Sequence, residues 1–91
     1  MKGEIKKAKK RITAALANLK EFRTVRGENQ KDFWERFGAT QSGGSRYEAG
    51  RELPNPAAIL VALYVAGIID DVDLADANDV LGFPTVASAG E

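Results

Sequence analysis

Residues 30–50 read QKDFWERFGATQSGGSRYEAG, two short segments on either side of Gly38. Phe33 and Phe37 sit one helical turn apart and give the first segment an inward face. Asn29 is a good N-cap for it, and Asp32 puts negative charge at the positive end of that helix. Gly38 ends the helix and supplies the turn, because a backbone with φ > 0 is cheapest at glycine. Thr40 caps the second segment, which carries almost no apolar bulk, runs to Glu48 and is closed by Gly50. Two helices joined this tightly, the second of them polar, have the layout of a helix-turn-helix, in which the second helix enters the DNA major groove.

Upstream, Ile5, Ala8, Ile12, Ala15, Leu16, Leu19 and Phe22 recur at helical spacing. They predict a first helix over residues 4–26 with a break near Thr13 and Gly27 as its C-cap. The first ten residues read equally as a flexible basic arm. Downstream, Leu53-Pro54-Asn55-Pro56 is a rigid loop, and Pro56 suits the first turn of a helix over 56–66. Ile59, Leu60, Val61, Leu63, Tyr64 and Val65 cover more than one face of that helix. A short fifth helix over 73–81 carries Leu74, Ala77 and Leu81 on one side. The expected organisation is a basic N-terminal extension (1–12), a DNA-binding domain with an acidic C-terminal helix (13–82) and a flexible tail (83–91).

The chain has 91 residues, enough for one domain with a small core, so oligomerisation is expected. It has no cysteine and no histidine, which removes disulfides, thiol chemistry and imidazole from any site. No phosphate-binding loop or carboxylate cluster is present, so neither an enzyme nor a cofactor is expected. The longest apolar stretch, 57–69, is broken by Tyr64 and Gly67, and lysines interrupt Ile5, Ala8 and Ile12, so a soluble, cytoplasmic protein without membrane contact is expected. The formal net charge of zero hides a split. All 13 Lys and Arg lie in residues 1–51 beside six acids, a net of +7; the other seven acids follow without a base, a net of −7. Such a split is expected of a first half that faces a polyanion, with two solvated faces of chance bias as the alternative.

Arg23-x-x-x-Gly27, Asn29-Gln30, Phe33, Phe37-Gly38, Thr40-Gln41-Ser42 and Ser45-Arg46-Tyr47-Glu48-x-Gly50-Arg51, followed by Pro54, resemble the XRE family, typified by phage Cro and lambda-type repressors. The resemblance covers roughly Leu16 to Ile69. It implies an all-α, compact five-helix lambda-repressor-like domain with the helix-turn-helix at helices two and three and an extended basic N-terminal helix or arm. It also implies a sequence-specific regulator of transcription, acting as a repressor on double-stranded DNA as a homodimer, in a bacterial or phage-derived, nucleoid-associated setting. The alternatives are an antitoxin whose acidic half wraps a protein partner, and a protein-interaction adaptor that keeps the fold.

Within that frame Gln41 can pair with adenine, and Arg46 with guanine or a phosphate, while Ser42 and Ser45 share their outward face. Gln30, Thr40 and Arg51 are candidates for the phosphate backbone, as are Lys10 and Arg11 from the basic segment Lys2, Lys6, Lys7, Lys9, Lys10 and Arg11. The resemblance makes Arg23 and Glu48 a structural ion pair and Tyr47 a core residue. The family carries Ala where Trp34 stands and Ile or Val where Gly44 stands; the paired change keeps volume constant if Trp34 fills the space at Gly44. Val61, Tyr64 and Val65 are dimer candidates from helix four, with burial under helices one and five as the alternative.

Overall fold

In a computed structural model that describes residues 9–83, the chain forms six helices. These are α1 (Lys9–Ala17), α2 (Leu19–Val25), α3 (Gln30–Glu35), α4 (Gln41–Glu48), α5 (Asn55–Val65) and α6 (Asp71–Leu81). All regular structure among the described residues is helical. Among them no helix is long and apolar enough to cross a membrane.

The helix expected over 4–26 is two helices, which makes six rather than five. The break falls at Asn18, not Thr13. Asn18 leaves helical geometry (φ −147°, ψ 72°), and its side chain accepts from the Glu21 backbone N–H at 3.1 Å. A short amide side chain that caps the next helix competes with continuation of the first. Residues 4–8 of the expected helix and the tail over 84–91 lie outside the described residues, as do Lys2, Lys6 and Lys7. Lys9, Lys10 and Arg11 lie on α1 together with Ile12, which is buried.

The two helices at the motif start as their caps predict. Asn29 accepts from the Asp32 N–H at 2.8 Å, and Thr40 Oγ1 accepts from the Gly43 N–H at 2.9 Å. Between them Gly38 adopts φ +84°. α6 begins two residues earlier than expected because Asp70 and Asp73 form a capping box, each side chain accepting from the other's backbone N–H.

Ile12, Leu19, Phe33, Trp34, Val61, Tyr64, Val65 and Leu74 form the core. Phe22, Phe33, Trp34, Phe37, Tyr47 and Tyr64 meet edge-to-face or tilted around it, with centroid separations between 5.2 and 6.2 Å. The dimer candidates are corrected here: Val61, Tyr64 and Val65 are 0%, 6% and 8% exposed. α5 is apolar on several faces because α1 packs against it from one side while the helix-turn-helix aromatics meet Tyr64 on another. The large apolar side chains left in solvent include Val72, Val80 and Leu81 on α6, and Phe83 just after it.

A polar clasp fastens α6 to the motif. Tyr64 Oη donates to Asp71 Oδ1 at 2.9 Å and accepts from Arg26 and from Arg36. Arg36 also pairs with Asp71 at 2.8 Å and with Glu28 at 3.2 Å. Its backbone carbonyl accepts from buried Asn78. One arginine at the end of α3 thus holds α6 at two points. Burial and the hydrogen bond to Asp71 push the Tyr64 hydroxyl above its ordinary pKa.

The crossing of α3 and α4 depends on Gly44. A Cβ built there would lie 2.2 Å from the Trp34 indole carbons, and Trp34 is 1% exposed. The exchange of bulk read from the sequence is therefore the actual packing. Gly44→Ala gains about 1 kcal/mol of helix propensity but must displace a buried ring, which costs about 1–3 kcal/mol. Urea unfolding should show a net loss of stability. Trp34→Ala alone should cost roughly 3–5 kcal/mol. Combined with Gly44→Ile it should cost less than the sum of the single changes, and strict additivity would contradict the crossing described here.

Candidate nucleic-acid interface

Capping by Thr40 and closure at Gly50 give α4 two full turns with one polar face. Gln41, Ser42, Ser45 and Arg46 are exposed on it. Together with Gln30 from the first turn of α3 they line an open depression of about 410 Å³. The fold thus unites the four expected base readers with one expected phosphate ligand from a different helix. Arg46 has no ion-pair partner among the described residues, so its guanidinium is available to a ligand.

Other expected ligands are placed differently. Thr40 Oγ1 is used as the cap acceptor of α4, which leaves its O–H to donate. Arg51 follows the helix; its backbone N–H donates to the Arg46 carbonyl at 2.9 Å, and its side chain is exposed. Lys10 and Arg11 are exposed on α1 and do not line the depression. Arg11 instead reaches the Ala66 carbonyl at 3.5 Å, at the negative end of α5.

Beneath the depression sits Glu48, whose side chain is 4% exposed. Arg23 pairs with it through two bonds of 2.8 and 2.9 Å. Trp34 Nε1 donates to Oε2 at 2.7 Å, and Gln30 Nε2 donates to Oε1 at 3.1 Å. Burial pushes the carboxyl upward, but the hydrogen bonds from Arg23, Trp34 and Gln30 and the Arg23 charge win, holding it at about 2 against an ordinary 4.5. The pair with Arg23 was expected; the bonds from Trp34 and Gln30 were not. A signal for the first existed, since a buried indole N–H needs an acceptor. The Arg26, Arg36, Tyr64 and Asp71 clasp was also missed, because its members are far apart in sequence and none belongs to the motif.

Residues 20–64 match the family model for an RsaL-like HTH domain, which spans α2 to α5 and leaves α1 and α6 outside. A solved structure of the quorum-sensing repressor RsaL from Pseudomonas aeruginosa is 49% identical, covers 65% of this chain and 87% of its own, and superposes with a TM-score of 0.62. No curated protein matches the chain.

The depressed pKa of Glu48 makes the motif acid-sensitive. Its stabilising contribution is complete above pH 4.5 and is lost as the pH falls toward about 2. By pH 3 the loss should reach about 2 kcal/mol relative to neutral pH. Urea unfolding at pH 7 and pH 3 measures it. Glu48→Gln should be less stable at pH 7 and should show a smaller decline over that interval; an unchanged decline would contradict the assignment.

Proposed function

The chain belongs to the RsaL-like helix-turn-helix family, and we propose that it is a sequence-specific transcriptional repressor that binds double-stranded DNA with α4 in the major groove. The observation that carries this reading is the convergence of Gln30, Gln41, Ser42, Ser45 and Arg46 on one solvent-open depression. Gln41 and Arg46 read base edges as paired donor–acceptor and double-donor groups, and Ser42 and Ser45 complete that face. Arg51, Thr40 and Lys10 contact the phosphate backbone. The S-R-Y-E-x-G-R string supports placing the motif beside those of XRE-type repressors.

One such helix reads only a few base pairs, and two-fold dimers extend the reading to half-sites about 34 Å apart. With Val61, Tyr64 and Val65 in the core, the large apolar side chains exposed among the described residues are Val25, Ile59, Val72, Val80, Leu81 and Phe83; the last four, clustered on and just after α6, are the homodimer contact we favour.

Selection of binding sites from random duplex DNA, together with sizing of the free protein, tests both statements. The expected result is a two-fold symmetric enriched site and a dimeric mass. Arg46→Ala should lose about 1–3 kcal/mol at the selected site and relax its preference at one base pair. Arg51→Ala should weaken binding to all sequences and lower the log–log salt slope by about one. Failure to enrich any sequence at low salt would sink the DNA reading.

A further inference from the structure

A cavity of about 310 Å³ lies between the turn of the helix-turn-helix and the end of α6, lined by Glu35, Gly38, Ala39, Thr40, Asn78 and Phe83. It shares no lining residue with the depression over α4. Asn78 sets its chemistry. This residue is 7% exposed. Its Nδ2 donates to the Leu74 carbonyl at 2.8 Å and to the Arg36 carbonyl at 3.1 Å. Two carbonyls need two donors, so the amide cannot turn over, and Oδ1 is the atom left for the cavity. No group among the described residues bonds to that oxygen, and it is not sealed from solvent. Gly38, Ala39 and the exposed ring of Phe83 make apolar walls around it. Water suits such walls poorly, since an ordered water needs about three polar partners. No base lines the cavity, so an anion gains nothing there. Its one acid, Glu35, is already paired with Lys31 at 3.1 Å. The volume is that of a site for a small organic molecule.

We propose that this cavity binds a small uncharged molecule with an apolar body and one N–H or O–H group, which donates to Asn78 Oδ1. Such a ligand touches both sides of a joint. Thr40 caps α4 through the Gly43 N–H, and Asn78 holds α6 to the Arg36 carbonyl at the end of α3. The ligand is therefore an effector of the DNA-binding helices. That role rests on the DNA reading above, whereas binding to the cavity does not. Phe83 also belongs to the homodimer contact favoured above, so a second copy of the chain is the rival occupant.

Indole is the probe, and benzofuran, of nearly the same shape but without the N–H, is its control. Added to the isotopically labelled full chain without DNA, indole should shift Gly38 to Thr40, the Asn78 side-chain NH₂ and Phe83. Benzofuran should bind roughly fivefold more weakly. In Asn78→Ala the two should bind alike, and the wild-type comparison stands on its own if this variant loosens α6. No saturable shift with indole, or equal affinity of the two probes for the wild type, would overturn the proposal. So would shifts of the same residues on dilution of the free protein that indole does not compete with, because a second copy then fills the cavity. Saturating indole should change the affinity for a selected duplex by roughly fivefold or more, and the duplex should change indole affinity by the same factor. An unchanged duplex affinity would overturn the effector role. A chain that binds indole but no duplex would overturn the DNA reading and leave the site standing.

Discussion

One buried carboxylate organises the helix-turn-helix of this protein. Glu48 closes α4, and the groups that satisfy it come from α2 (Arg23) and from both the start and the last turn of α3 (Gln30 and Trp34). Three helices are therefore referenced to a single point. A lone carboxylate in that position would be strongly unfavourable, whereas one with every acceptor site filled is rigid. Removal of a partner leaves an uncompensated charge, so the arrangement tolerates little intermediate behaviour. Through Gln30 it is bonded to the depression that Gln41, Ser42, Ser45 and Arg46 line.

The glycine pair in α4 follows from the same constraint. Each glycine weakens a helix by about 1 kcal/mol relative to alanine. At Gly44 the loss is offset by the Trp34 ring, which occupies the space of the missing side chain and places its N–H on Glu48. The tryptophan is thus both filler and hydrogen-bond donor, two roles that a phenylalanine would not combine.

The helix-turn-helix was legible in the sequence because its signals are local: Asn29 and Thr40 as caps, Gly38 as the turn, Phe33 and Phe37 one turn apart. The exchange between Trp34 and Gly44 was legible only through resemblance to a known family, since nothing local says that the two positions face each other. The break at Asn18 was missed because apolar spacing continues through it from Ile12 to Phe22, and one side-chain cap overrode the periodicity. Val61, Tyr64 and Val65 drew attention as surplus apolar groups on α5. Sequence spacing does not reveal that α1 and the aromatic residues of the motif cover the helix on different sides. The clasp around Arg36 joins residues up to forty-two positions apart and left no pattern to read. It also gives the acidic C-terminal segment a structural meaning: Asp70 and Asp73 start α6, and Asp71 ties it to Arg36.

The central claim is that the polar face of α4, with the first turn of α3, is where DNA is bound. Amide and side-chain chemical shifts of the isotopically labelled protein, followed as a selected duplex is added, test it most directly. The largest changes should fall at Gln30, at Gln41 to Arg46 and at Arg51, with α6 little affected. Changes confined to α6 and Phe83, with α4 silent, would contradict it.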